Sequence, residues 1–116
     1  MSENVVPTIK YEDFAKLDLR VGTIMEAAAH PDADKLVVLQ VDLGTEKRQI
    51  VAGIKKYYDP SCIELTGLQI IVVMNLEPRT LRGVISHGML LAASDAEGNL
   101  SLLKPERLIA AGSKVG

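Results

Sequence analysis

The sequence predicts an all-β fold, a small closed barrel or sandwich, and three observations carry that prediction. Short apolar runs recur at regular spacing, with Gly, Pro, Asp and Asn between them. In the first run Leu19, Val21 and Thr23 alternate with Arg20, Gly22 and Ile24, the period of two that a strand shows. The apolar residues, 47% of the chain against only 3% aromatics, are drawn largely from Val, Ile, Leu and Ala, and the β-branched ones suit a pleated surface.

Residues 1–7 read as a loose tail, and 8–116 as one domain. At 116 residues the chain is long enough to close a core of its own. Residues 11–17 predict a short helix with Phe14 and Leu17 on one side, expected to plug one end of the barrel with Tyr11 and Phe14 as core pieces. A first strand runs from Leu19 to about Ala28, and Gly22 within it implies a bulge or a sharp coil. His30-Pro31-Asp32-Ala33-Asp34 is a turn in which Pro fixes φ and Asp side chains bond nearby amides. Residues 36–43 form a second strand closed by Gly44, and residues 48–54 a third. The polar stretch 55–60 holds at most a helical turn. Residues 69–76, rich in β-branched side chains, predict a buried fourth strand, and 88–93 a fifth. A turn at 95–99 leads into a C-terminal hairpin around 100–103. Five main strands with a polar insertion between the third and fourth fit a Greek-key OB-fold barrel.

Net charge is −2, which argues against indiscriminate polyanion binding. The charge is unevenly distributed. Residues 1–34 carry three basic side chains against seven acids, whereas residues 35–56 carry Lys35, Lys47, Arg48, Lys55 and Lys56 against Asp42 and Glu46. Such a basic region suits a selective RNA contact, and equally an ordinary solvated surface. The single Cys62 excludes an intrachain disulfide, and with no leader-like start or long apolar stretch the expected home is the cytoplasm.

Catalysis finds little support. His30, His87 and Cys62 are scattered without metal-ligand spacing, no phosphate-cradling Gly loop occurs, and Asp32-x-Asp34 lacks the remainder of a calcium loop. No cofactor or metal is expected. With Tyr11 and Phe14 assigned to the helix, only Tyr57 and Tyr58 remain as free rings, too few to stack successive bases. RNA recognition by this chain must therefore rest on backbone shape and phosphates. Two stretches supply suitable groups: the turn carrying Lys35, and residues 75–89, a polar loop between the fourth and fifth strands. That loop offers Arg79 and Arg82 as guanidinium forks, Asn75, Ser86 and His87 as hydrogen-bonding groups, and Met89 as an adaptable apolar contact. Each has a plainer alternative: Asn75 closing a turn, Ser86 capping backbone groups, Met89 in the core, the arginines merely solvated.

Several long motifs in order resemble the tRNA-binding domain shared by several aminoacyl-tRNA synthetases. They are Asp18-Leu19-Arg20-Val21-Gly22-Thr23-Ile24, His30-Pro31-x-Ala33-Asp34-Lys35-Leu36, Arg48-x-Ile50-Val51-Ala52-Gly53-Ile54, Asn75-Leu76-x-Pro78-Arg79 and Arg82-Gly83-x-x-Ser86-x-Gly88-Met89-Leu90-Leu91-Ala92. The likeness continues to Gly112-Ser113-Lys114-Val115. The resemblance implies an OB-fold that recognises tRNA by shape near its outer corner, and a homodimer formed through the segments flanking the barrel. It implies a tRNA-facing set of Lys35, Asn75, Arg79, Arg82, Ser86 and Met89; charge and location add Arg48, Lys55, Lys56 and His87. Glu77 stands where many relatives carry Lys, which lowers the expected affinity. The Ala-Asp-Lys-Leu motif places the chain nearer the methionyl-tRNA synthetase branch than the secretion-chaperone branch. The expected function is a non-catalytic module assisting such a synthetase in cis or in trans, and the intact Met1 favours a stand-alone product. The alternative is a protein-binding barrel acting as chaperone or assembly factor, prompted by the apolar flanks 100–103 and 108–111.

Overall fold

The computed structural model describes residues 6–58 and 61–116; most of the expected tail, 1–7, lies outside them. The chain folds as an OB-type barrel. Its main sheet is built on β1 (Leu19–Ala29), β2 (Val37–Asp42), β3 (Lys47–Ala52) and β4 (Gln69–Val73). Two small hairpins follow, one of β5 (Arg79–Leu81) and β6 (Val84–Ser86), the other of β8 (Ala92–Ser94) and β9 (Leu100–Leu102). β7 (Met89–Leu90) joins β4, and β10 (Lys114–Val115) joins β1, so the main sheet runs β3-β2-β1-β4-β7 with β10 alongside β1.

β1 organises the barrel because it pairs along both edges. Its first half, Leu19 to Thr23, runs antiparallel to β4, and Thr23 to Ala29 pairs with β2. The bend between these halves needs an irregularity, and the register with β2 shifts between Ile24 and Glu26. The expected irregularity at Gly22 is thus displaced to Met25. Gly22 instead permits close approach, since a Cβ there would lie 2.5 Å from Val41 Cγ1.

The alternation read in the sequence becomes the barrel interior. Ile24, Val37, Leu39, Val41, Ile50, Ile70 and Val72 face a common core. β4 is buried along its whole length, because its other face contributes Ile71 and Val73 to a second cluster with Leu19 and Val21, against which Leu91 and Val115 pack. The Gln69 carboxamide fixes the C-terminal segment there: its Nε2 donates to Ile109 O (2.6 Å) and its Oε1 accepts from Ile109 N (3.1 Å).

The N-terminal helix does not plug the barrel. α1 spans only Tyr11–Phe14, and a single turn presents too little surface to close a barrel end. Tyr11 is 76% and Phe14 39% exposed, and the two rings pack on each other with centroids 6.4 Å apart. The barrel end is filled by Cys62 and Leu65, both fully buried in the main core, from the segment between β3 and β4. Gly67 N donates to Ile24 O (2.8 Å) and Ile24 N to Leu68 O (2.9 Å), holding that segment against β1.

Two further expectations are corrected. The fifth strand divides, because Leu91 switches partners: its N–H donates to Ile71 O of β4, whereas its carbonyl accepts from Leu103 N beyond β9. Residues 75–89 are not a plain loop but contain the β5–β6 hairpin. The sequence hid it because its strands have three residues each and its turn is Arg82-Gly83 rather than the usual Asn-Gly. The C-terminal hairpin forms as expected, with the Asp95 carboxylate accepting from Glu97 N, Asn99 N and Asn99 Nδ2, each at 2.9 Å. Among the described residues no helix is long and apolar enough to cross a membrane.

Candidate nucleic-acid interface

The β1–β2 turn is shaped by a histidine. The expected aspartate bonds are not what holds it: His30, 4% exposed, accepts at Nδ1 from Asp32 N (2.9 Å). Its Nε2 lies 3.1 Å from Leu81 O in the β5–β6 hairpin. Because Nδ1 accepts, Nε2 carries the proton and donates, so the ring is the neutral Nε2–H tautomer. On its other side the turn meets the 3-10 turn Lys55–Tyr57, where Lys55 N donates to Lys35 O (3.3 Å).

These two contacts bring together three basic segments far apart in sequence: Lys35 in the turn, Lys55 and Lys56 beside it, and Arg79 and Arg82 on the hairpin. Lys35 and Arg82 line one cleft with Ala33, Asp34 and Leu36. Arg79 and Met89 line the adjacent slot of about 140 Å³ with Leu76, Glu77, Leu81 and Ser86. Lys35, Lys56, Arg79, Arg82 and Met89 are all exposed. Among the described residues none of Lys35, Lys55, Lys56, Arg79 and Arg82 forms a salt bridge; the paired cations are Lys16, Arg20, Arg48 and Arg107. Exposed cations outside ion pairs are what a phosphate surface needs.

The remaining expected site residues hold the frame. Ser86, 4% exposed, accepts from Val51 N (2.9 Å) and donates to Gly88 O (3.0 Å). With His87 N donating to Gln49 O (2.8 Å), these bonds close the barrel between β3 and the chain after β6. Gln49 adds a bond from Nε2 to Ile85 O (2.8 Å). Asn75 ties the end of β4 to the entry of β1: Oδ1 accepts from Asp18 N (2.8 Å) and Nδ2 donates to Lys16 O (2.6 Å). Arg48 donates from Nη1 to Met74 O (2.6 Å) and pairs with Glu46 (3.2 Å). The exposed His87 shares its cleft with Arg48, Lys47 and Leu76.

The free rings are not those expected. Tyr57 and Tyr58 pack against the main core, and Lys56 Nζ sits 5.0 Å over the Tyr57 ring. Burial, and secondarily the Glu64 carboxylate, pushes the Tyr58 phenol up from its ordinary value. The exposed rings are Tyr11 and Phe14, a single pair, so stacking on a run of bases still has no platform here. Sequence reasoning missed His30 and Gln49 as members of this region. The available signal is His30 at the head of its Pro-Asp turn, where the sequence points to Pro31 and the aspartates as the turn's determinants and not to the imidazole.

Comparison with known proteins places this arrangement in a family. Residues 19–114 match the family model described as "Putative tRNA binding domain". Over 113 residues the chain is 56% identical to a methionine–tRNA ligase of Pyrococcus horikoshii, covering 97% of this chain and 15% of the ligase. It is 57% identical over 100 residues to that of Methanocaldococcus jannaschii, covering 86% of this chain and 15% of the ligase. The chain thus spans about 15% of the length of these curated relatives. Among solved structures, a MetRS-related protein from Pyrococcus horikoshii superposes with a TM-score of 0.88 at 33% identity, over 96% of this chain and all of that one. The chaperone CsaA from Bacillus anthracis superposes at 0.83 and 32% identity, over 95% of this chain and all of that one. The chain belongs to the tRNA-binding domain family.

Proposed function

We propose that this domain is a non-catalytic module that binds folded tRNA by shape and serves an aminoacyl-tRNA synthetase of the methionyl type, in cis or in trans. The observation that carries the reading is the meeting of three basic segments, with Lys35 and Arg82 lining one cleft, Arg79 on the same hairpin and Lys55 bonded to the Lys35 turn. None of these cations is in a salt bridge among the described residues, and the frame beneath them is held by Ser86, Asn75 and Gln49. Lys35, Arg79, Arg82 and Met89 make the central contacts, with Lys55, Lys56 and His87 at the edges. Asn75, Ser86 and Arg48 act by fixing the backbone that carries them. Bound to or fused with a synthetase, the module raises the local concentration of tRNA at the catalytic chain. We also propose a homodimer in the cytoplasm. Exposed Tyr11 and Leu17 near the N-terminus, and Leu108 and Ile109 near the C-terminus, supply apolar surface for its seam.

Fluorescence anisotropy with folded tRNA against an unstructured RNA of equal length, at one near-physiological salt, tests the reading. Wild type should prefer folded tRNA, and Arg79→Ala/Arg82→Ala should lose that preference. The salt slope of log affinity should fall by about 1.4 to 1.8 in the double variant, from roughly 0.7 to 0.9 per phosphate contact. Equal weak binding to both RNAs, unmoved by the substitutions, refutes it. The likeness to the CsaA chaperone favours one second reading, a polypeptide-binding barrel. That reading requires binding of an unfolded protein that survives the double substitution.

A further inference from the structure

We infer that His30 is a positioning residue of the RNA-binding face: it staples the tip of the β5–β6 hairpin to the β1–β2 turn, so that Arg82 and Lys35 grip phosphate as one unit. The inference rests on the tRNA-binding reading above and adds to it a residue with no contact to RNA.

Two independent observations meet at the hairpin tip. The first is the staple. The buried imidazole spends one nitrogen on its own turn, accepting from Asp32 N, and the other on a chain segment 51 residues away, donating to Leu81 O. Leu81 is the residue immediately before Arg82. The second is the backbone of the turn. Leu81 pairs with Val84 across a two-residue turn, in which Arg82 has φ 52° and Gly83 φ 85°. Positive φ at both central positions is the type I′ geometry, which favours Asn-Gly or Gly-Gly. A long side chain at its first position is held in a left-handed conformation that side-chain-bearing residues seldom adopt. Such a conformation persists where the surroundings over-determine it, and the bond from His30 is a contact that does so. The consequence is directional. Arg82 leaves the tip into the cleft it shares with Lys35, whose backbone follows the same His30-shaped turn. Without the staple the base of the hairpin, where Arg79 pairs with Ser86, stays held to β3 through Ser86 and Gln49, but the Arg82-Gly83 tip loses its bond to the β1–β2 turn, and the two cations lose their common target.

The chemistry of the ring allows its two bonds to be removed separately. His30→Asn places an amide oxygen where Nδ1 was, keeping the acceptor for Asp32 N, but it is one atom too short to reach Leu81. His30→Gln places an amide nitrogen at the reach of Nε2, keeping the donor to Leu81 O, but it loses the local acceptor. Both variants forfeit one bond of a buried side chain, so stability alone does not separate them.

Folded tRNA is the probe, with affinity read by anisotropy well below the melting temperature of every variant. Amide hydrogen exchange across β5 and β6 is followed without RNA. Arg82→Ala should weaken binding about tenfold, the loss of one charge-assisted contact. His30→Asn should weaken it to a similar extent and speed exchange in β5 and β6 while leaving β1 and β4 unchanged. His30→Gln should keep most of the affinity and the slow exchange. The double variant His30→Asn/Arg82→Ala should bind no more weakly than Arg82→Ala alone, because the staple acts through that arginine. Equal losses in His30→Asn and His30→Gln, unaltered hairpin exchange in His30→Asn, or additive losses in the double variant each overturn the inference. Wild-type protein that ignores folded tRNA instead overturns the reading of the face itself, a result distinct from wild-type binding that His30→Asn leaves intact.

Discussion

Ser86→Ala isolates the bond that closes the barrel. The Ser86 hydroxyl is buried and takes the place of a backbone acceptor for Val51 N–H, 2.9 Å away, while donating to Gly88 O at 3.0 Å. Alanine removes both bonds and leaves the Val51 donor buried without a partner, since Val51 lies in the core lining. An unsatisfied buried donor costs about 1–3 kcal/mol, whereas the bond itself contributes only about 1 kcal/mol net. The penalty for the orphan therefore dominates, and a loss near 2 kcal/mol is expected. In a domain of this size that lowers Tm by roughly 6–12 °C. Ser86→Cys, nearly isosteric but a weak acceptor, should also destabilise, which separates the lost bond from the small cavity. Urea unfolding with paired exchange measurements is the assay, and the Val51 amide should exchange faster in Ser86→Ala. A change below about 0.5 kcal/mol, the range of ordinary surface substitutions, would show that Val51 finds another acceptor and that this closure is not needed.

Further outcomes follow from other contacts. Asn75→Asp keeps an acceptor for Asp18 N but loses the donor to Lys16 O and sets a second carboxylate beside Asp18; it should destabilise at least as much as Asn75→Ala at neutral pH, as thermal melts would show. At the C-terminal turn, bonds from the Asn99 side chain and backbone, then from the Glu97 and Gly98 amides, hold the Asp95 carboxyl below its ordinary value. Its folded value being the lower one, the turn's contribution is present above the unfolded value and is lost as pH falls through the folded value. The Asn99 amide shift, followed by NMR against pH, should therefore move only below the ordinary carboxylate range, and not at all in Asp95→Asn. Leu108 is 85% exposed, and if it lies in the dimer seam Leu108→Asp should convert dimer to monomer by light scattering without lowering Tm of the monomer.

Much of the barrel was legible because burial imposes a period. β2 and β3 lie within two residues of the ends expected from 36–43 and 48–54, β2 alternating between buried and half-buried positions and β3 burying Ile50 and Val51 together. The helix does not plug the barrel because the Tyr11–Phe14 pair, core-like in its helical spacing, sits on a single exposed turn, while Cys62 and Leu65, in a stretch without clear periodicity, are buried in the main core. The hairpin at 79–86 stayed hidden because three-residue strands carry almost no pattern. At the interface, residue type disclosed the cations Lys35, Arg79 and Arg82, which charge and loop position mark. It did not disclose their relative placement, which depends on bonds spanning dozens of residues, from His30 to Leu81 and from Ser86 to Val51. Nor did it separate contact from frame, since Ser86 and Asn75 have side chains suited to either.

The most direct test of the central claim is amide shift mapping of the 15N-labelled domain titrated with folded tRNA. Perturbations should concentrate at Lys35 and its turn, at Lys55 and Lys56, and across β5 and β6 around Arg79 and Arg82. Perturbations confined to the C-terminal hairpin and the segment around Leu108, with these basic segments unmoved, would contradict the account.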